Sequence, residues 1–172
     1  MAELDPRLRA LVDKDAITQV VQDLARGTDR LDAEQIASCY HPDGFDDHNS
    51  FRGSPQDFAR WVLEVLPHFA ATHHLIAQPR IRLEGDVAQV DTYCIAHHLS
   101  KPDARGRQSD LVLALRYVDR FEQRAGIWKI ARRVCAFDWT VTLDETAAAK
   151  FVFEAHFTVG RRDRSDITYR GV

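Results

Sequence analysis

Three turn signals in the second half of the chain constrain its fold more than any other feature. They are Glu84–Gly85–Asp86, the segment from Pro102 to Gly106, and Arg124–Ala125–Gly126. Gly, Pro and Asp favour turns for local conformational and hydrogen-bonding reasons, and the stretches between these signals have the composition of strands. The pattern predicts a four-stranded antiparallel meander with strands at Thr72 to Leu83, Val87 to Ser100, Ser109 to Gln123 and Ile127 to Val141.

The predicted strands are unusually long. A typical strand has roughly 5–6 residues, and longer strands must coil because each strand twists in the same direction. A coiled sheet with helices laid across its concave face forms a cone that encloses a pocket. We expect this cone to hold the active site.

The first 70 residues are helical in pattern. Apolar residues recur at three- and four-residue intervals from Leu8 to Leu24, which predicts a helix that ends near Gly27 as its C-cap. Asp32 opens a predicted short helix, and Asp43–Gly44 is predicted to be a turn. Ser54–Pro55 begins a third predicted helix, which ends at Pro67.

Length and charge set the domain count and exclude some partners. The 172 residues (19.6 kDa) predict one domain over 1–172, with 143–172 as a C-terminal extension that starts with a short helix through Ala149. Lys and Arg number 23 and Asp and Glu 26, so the formal charge is −3 and no overall positive field favours nucleic acid.

Membrane insertion, secretion and a cysteine framework are not indicated. The longest apolar run, Leu111 to Leu115, is far shorter than the roughly 20 residues that span a bilayer. The N-terminal residues lack the basic and apolar regions of a secretory signal, so we expect a cytoplasmic protein. Three widely separated cysteines, Cys39, Cys94 and Cys135, predict buried thiols rather than disulfides or a zinc site.

Two histidine pairs and one aspartate are the candidate chemical groups. His73–His74 lies early in the first predicted strand and His97–His98 ends the second, so a hairpin places both pairs near one end of the sheet. Neighbouring residues of a strand face opposite sides, so one histidine of each pair faces the cone, which argues against a four-histidine metal site. Asp29 follows the first helix and is positioned to reach the mouth of the cone.

Side-chain alternation assigns the inward residue in only one strand. Small residues from Ala88 to Ala96 occupy one face of the second strand, and His98 continues that face, so we favour His98 over His97. In the first strand the alternation does not distinguish His73 from His74.

The chain resembles the SnoaL-like family of the nuclear-transport-factor-2-like superfamily. The resemblance extends from about residue 8 to 141. It rests on the order of Arg26–Gly27–Thr28–Asp29, His41–Pro42–Asp43–Gly44, Phe51–Arg52–Gly53, Thr72–His73–His74, Leu83 to Ala88, Tyr117 to Glu122, and Trp128–Lys129–Ile130 followed by Arg133.

The resemblance implies a fold and a site. The implied fold is an α+β cone with a curved mixed sheet and N-terminal helices across its concave face. The family includes dehydratases, polyketide cyclases and a dehydrochlorinase, which implies a lyase or isomerase that uses no cofactor and no metal. It also implies that Asp29 orients His74, which removes a proton next to a carbonyl, with His98 and Arg133 as further catalytic residues.

One position departs from the family pattern. Leu24 stands where the dehydratases have tyrosine and the dehydrochlorinase has lysine. This argues against dehydrochlorination, and dehydration would then need another donor such as His98, Tyr40 or Tyr93.

The expected ligand is a small hydrophobic, ring-bearing or polyketide-like molecule. Two alternatives are a non-catalytic small-molecule binding module and a structural small subunit like that of ring-hydroxylating dioxygenases. Apolar positions on the outer sheet face favour a homo-oligomer. The predicted substrate contacts are Tyr40, Phe58, Trp61, Tyr93 and Phe137.

Overall fold

The computed structural model describes residues 5–144 and 158–169. Three helices precede most of the strands, and a seven-stranded mixed sheet follows. The elements are α1 (Pro6–Arg30), α2 (Ala33–Ser38), β1 (Tyr40–Asp47), β2 (Arg52–Gly53), α3 (Pro55–Val65), β3 (Phe69–Ile76), β4 (Arg80–Glu84), β5 (Val87–Ser100), β6 (Ser109–Arg124) and β7 (Ile127–Asp144).

Helix α1 is longer than predicted. The Asp5 carboxylate caps its start, and its C-cap is Leu31, whose backbone is left-handed (φ 56°). Gly27 lies inside the helix rather than at its end. Helix α2 packs closely against it, since a Cβ on Gly27 would lie 3.2 Å from Ile36. Asp29 therefore belongs to the buried last turn of α1 instead of following the helix.

Strand β1 replaces the predicted turn at Asp43–Gly44. It pairs in parallel with β7, with a register irregularity between Tyr40 and Phe45. A Cβ on Gly44 would lie 2.9 Å from the carbonyl oxygen of His41 and 3.2 Å from that of Ile130. The glycine thus permits close approach of two main chains.

The central part of the predicted meander is confirmed. Strands β5, β6 and β7 are antiparallel neighbours, and the sheet order is β2-β1-β7-β6-β5-β3, with β4 also paired to β5. The predicted strand at Thr72 to Leu83 is wrong as a single element: it is divided into β3 and β4, and Pro79, which has no amide proton, lies in the break.

The sheet is curved, and its concave face packs on the helices. Register shifts in the β6–β7 pairing, between Ala114 and Leu115 and between Arg120 and Phe121, are irregularities of the kind that bend strands. The curved α+β architecture that the resemblance implied is confirmed. The main core contains Ile17, Val21, Leu24, Ile36, Tyr40, Phe58, Val62, Ala88, Val90, Phe121, Trp128 and Ile130.

The described part of the C-terminal extension, residues 158–169, lies against the end of α1. Arg162 donates hydrogen bonds to the carbonyl oxygens of Leu66 and Phe69, both at 3.1 Å, and to that of Asp29 at 3.3 Å. Arg30 forms an ion pair with Asp166. The predicted short helix through Ala149 lies outside the described residues, and the division into one domain and an extension stays a prediction.

Within residues 5–144 and 158–169, none of the helices combines the length and apolar character needed to cross a lipid bilayer.

Candidate active site

Asp29 and His74 form a carboxylate–imidazole pair at the concave face. Asp29 Oδ1 lies 2.7 Å from His74 Nδ1, and the His74 backbone N–H donates to Asp29 Oδ2 at 2.9 Å. Only 9% of each side chain is exposed. One carboxylate thus fixes both the backbone and the ring of His74. With Nδ1–H donating to Asp29, Nε2 is the ring nitrogen that can accept a proton or a hydrogen bond from a ligand.

Burial and hydrogen bonding act in opposite directions on Asp29. Burial raises the pKa of its carboxyl, but the hydrogen bonds and the charge interaction with His74 together lower that pKa by more than burial raises it. The net pKa therefore lies below the ordinary value. Asp29 is therefore an anion at neutral pH, as a group that orients an imidazole must be.

Strand register explains which histidines meet. In β3, Thr72 is paired with His98 of β5 and His74 with Ala96, so His74 shares the inner face with His98 while His73 is exposed on the other face. The rings of His74 and His98 meet edge to face with centroids 5.7 Å apart. The expected contact between Asp29 and His74 and the inward orientation of His98 are both present.

His98 is neutral at neutral pH. Burial and the neighbouring His74 lower its pKa to about 4. Its Nδ1 is buried and has no hydrogen-bond partner among the described residues, which marks a polar atom that a bound molecule can satisfy. His97 is instead 43% exposed and bonds Asp110 at 2.6 Å.

A cavity of about 120 Å³ opens between these histidines and the helices. Apolar side chains make most of its wall, and the predicted contacts Phe58, Trp61 and Phe137 are among them. The lining residues are Thr28, His48, Ser50, Phe58, Trp61, Val62, Leu66, His74, Ala96, His98, Leu113, Leu115, Tyr117 and Phe137.

Two predicted substrate contacts, Tyr93 and Tyr40, lie elsewhere. Tyr93 is 61% exposed on the outer sheet face, because it alternates with the inward Thr92 and Cys94. Tyr40 is buried in the core, where its hydroxyl donates to Asp46 at 2.5 Å. The expectation that Tyr40 and Tyr93 contact a ligand in this cavity must be corrected.

Arg133 also lies outside the cavity. Its Nε and Nη2 donate to the two oxygens of Asp119 at 2.8 and 2.7 Å, and its guanidinium lies 3.9 Å from the ring centre of Tyr117. The donors of Arg133 that face Asp119 are therefore engaged in a buried ion pair behind the cavity wall. The predicted contact between Arg133 and substrate is absent.

A second carboxylate–imidazole pair, Asp46 and His48, was not predicted from the sequence. His48 Nδ1 is hydrogen-bonded to Asp46 Oδ1, and its ring stacks on Phe58 with centroids 4.5 Å apart. The signal available was the two-residue spacing of Asp46 and His48, which places both on one face of a strand. Because Asp43–Gly44 was predicted to be a turn, no strand was predicted there and the pair was not recognised.

No three His, Cys, Asp or Glu side chains of the described ranges form a group arranged to hold a metal ion.

A curved mixed sheet that encloses a cavity under its helices defines a nuclear-transport-factor-2-like fold, here with a carboxylate–imidazole pair at the cavity wall. A sequence model of the SnoaL-like domain matches residues 9–134, which are most of the chain. The chain belongs to the SnoaL-like family.

Individual relatives are distant. The uncharacterised protein Rv2910c of Mycobacterium tuberculosis is 26% identical over 137 residues, which cover 78% of this chain and 86% of the relative. A solved hexachlorocyclohexane dehydrochlorinase, LinA type 2, aligns with a TM-score of 0.71 and 16% identity over 88% of this chain and 99% of that one.

A putative scytalone dehydratase from Novosphingobium aromaticivorans aligns with a TM-score of 0.67 and 20% identity, over 82% of this chain and 97% of that one. At these identities the two structures support the fold alone.

Proposed function

We propose that this protein is a cofactor-independent lyase or isomerase, acting as a dehydratase or cyclase. In this proposal His74, oriented by Asp29, removes a proton from the carbon next to a carbonyl of a small hydrophobic, ring-bearing or polyketide-like substrate. The observation that carries the proposal is the 2.7 Å contact between Asp29 and His74 at the wall of an apolar cavity.

The geometry suits His74 as the base. The carboxylate accepts the Nδ1 proton and holds the tautomer whose Nε2 lone pair is free. A positioned general base contributes on the order of 10²–10⁴ in rate. The low exposure of the pair keeps water from competing for the ring.

His98 is suited to bind the substrate oxygen. Because its pKa is about 4, it acts as a neutral imidazole at neutral pH and interacts by hydrogen bonding without carrying charge. A neutral donor beside a forming enolate stabilises it in a dry site, where electrostatic interactions are strong.

The cavity limits the substrate. Its volume of about 120 Å³ is close to the roughly 150 Å³ of an engineered apolar cavity that binds benzene. We therefore infer that one six-membered ring fills it. Phe58, Trp61 and Phe137 supply aromatic contacts for such a ring.

The test uses 3-hydroxycyclohexanone, a single-ring β-hydroxy ketone, and follows conjugated enone by absorbance. We expect turnover by the unmodified protein and its loss in His74→Gln, while His97→Gln, which alters the outward imidazole–carboxylate pair, stays active. Saturable binding of the ketone without any turnover would favour the binding-module alternative.

The proposal includes a cytoplasmic homo-oligomer. Leu75, Tyr93 and Trp139 are more than half exposed on the outer sheet face, and exposed apolar surface of this kind favours association. We infer that copies of this chain associate through that face.

A further inference from the structure

The cavity receives a second carboxylate-held imidazole from the opposite flank of the sheet. His74 lies on β3, whereas His48 follows directly after β1. Strands β7, β6 and β5 lie between these two, so a flat sheet would separate β1 and β3 by about 19 Å at the usual strand spacing. Because the sheet is curved, both rings line one cavity.

His48, like His74, is held by a carboxylate. Its Nδ1 bonds to Asp46, whose side chain is fully buried and also accepts a hydrogen bond from the Tyr40 hydroxyl. The ring is sandwiched among aromatic groups, stacking on Phe58 and approaching Tyr117. Among the described residues, Nδ1 is the only ring nitrogen of His48 with a hydrogen-bond partner.

A buried cluster of charged side chains lies beside His48. Asp46 is paired in register with Arg133, and Arg133 in turn with Asp119, so three neighbouring strands carry two carboxylates and one guanidinium. Burial raises the pKa of Asp119, and the two hydrogen bonds from Arg133 offset this only in part. The guanidinium of Arg133 is thus bonded to Asp119, whereas Asp46 is the carboxylate that bonds His48.

The surroundings of Asp29 differ from those of Asp46. Arg162 lies against the carbonyl oxygen of Asp29, and the two side chains attract each other electrostatically. Asp46 instead accepts hydrogen bonds from the His48 ring and the Tyr40 hydroxyl. The cavity thus has two carboxylate-held imidazoles on opposite flanks, which is the arrangement needed to remove a proton at one point of a substrate and deliver one at another.

We propose that His48, held by Asp46, is the general acid that works opposite His74. This inference rests on the proposed function and deepens it. The substrate it fits is a cyclic β-hydroxy carbonyl compound whose acidic C–H faces His74 and whose hydroxyl faces His48.

The step balances without a further reagent. Nε2 of His74 takes the proton from the carbon next to the carbonyl, and the C–H electron pair forms the new carbon–carbon double bond. The C–O bond breaks with its electron pair on the oxygen, which takes the Nε2 proton of His48 and leaves as water. His74 then releases its proton and His48 regains one from solvent.

The first test measures protonation directly and needs no substrate. Nitrogen-15 chemical shifts of the imidazole rings at pH 7 should identify His48 as imidazolium and His74 as neutral with a protonated Nδ1. In Asp46→Asn the ring of His48 should become neutral, while Asp110→Asn should leave it unchanged. A neutral His48 in the unmodified protein overturns the proposal, because a general acid must carry the proton that it donates.

The second test separates base from acid with 3-hydroxycyclohexanone in heavy water. Deuterium exchange next to the carbonyl needs only the base, whereas enone formation needs the acid too. We expect His48→Gln to lower enone formation by about 10²–10⁴-fold with exchange retained, and His74→Gln to lose both. Enone formation at the unmodified rate in His48→Gln refutes the acid role alone. A lack of exchange and elimination in the unmodified protein refutes the proposed function, and the acid role with it.

Discussion

Replacing Asp29 by asparagine should inactivate the protein while leaving it folded. The carboxylate makes two hydrogen bonds to His74, at 2.7 Å to the ring and 2.9 Å to the backbone. Asparagine keeps the shape and one acceptor oxygen but removes the charge. Since hydrogen bonds to charged groups contribute about 1.5–3 kcal/mol, we expect the free energy of unfolding to fall by about 2 kcal/mol, which a typical domain with about 5–15 kcal/mol of stability tolerates.

The effect on rate should be far larger. An amide N–H facing Nδ1 reverses the tautomer and places the ring proton on Nε2, which can then no longer accept one. Comparable Asp→Asn changes behind a catalytic histidine lower turnover by about 10⁴-fold, and we expect a loss of about 10³-fold or more here. Enone formation from 3-hydroxycyclohexanone measures the rate, and urea unfolding measures stability.

His97→Gln is the control, because it changes the outward His97–Asp110 pair and leaves Asp29 and His74 in place. It should keep full activity. If Asp29→Asn is folded and retains more than about a tenth of the unmodified turnover, the orienting role of the carboxylate is refuted.

Three further predictions concern stability and assembly. The folded-state pKa of His98, about 4, lies below its ordinary 6.5, so the unfolded state binds more protons between these pH values. The free energy of unfolding should therefore fall by up to about 3 kcal/mol as the pH drops from 6.5 to 4. His98→Gln should remove this part of the pH dependence in urea titrations, and an unchanged slope would contradict the prediction. Gly44→Ala should destabilise the protein by about 1–3 kcal/mol, because its Cβ would lie 2.9 Å from the carbonyl oxygen of His41; a neutral effect on urea unfolding would show that the strands separate there at little cost. Tyr93→Glu should lower the mass found by sedimentation equilibrium, because a charge then occupies the outer apolar face; an unchanged oligomer would place the interface elsewhere.

The long strands were predictable because their signals are local. Gly85 and Gly126 have positive φ at the turns where the sequence indicates them, and the small residues of β5 mark its inner face. Alternation alone placed His98 inside. The contact between Asp29 and His74 was expected from family resemblance, since alternation could not distinguish His73 from His74.

The rest depends on tertiary contacts that have no local signature. Asp43–Gly44 is typical of a turn in sequence, yet Gly44 lies in β1, where its missing side chain allows β1 to approach β7 closely. Because β1 was not predicted as a strand, the sequence did not place Asp46 and His48 on a common face or beside the cavity. Arg133 was predicted as a site residue, but the sequence does not reveal that Asp119 binds it behind the wall.

The most direct measurement of the central claim is hydrogen–deuterium exchange next to the carbonyl of 3-hydroxycyclohexanone, followed by proton NMR with the unmodified protein and with His74→Gln. We expect exchange catalysed by the unmodified protein and none above the buffer rate in the folded variant. Equal exchange in both proteins would contradict it.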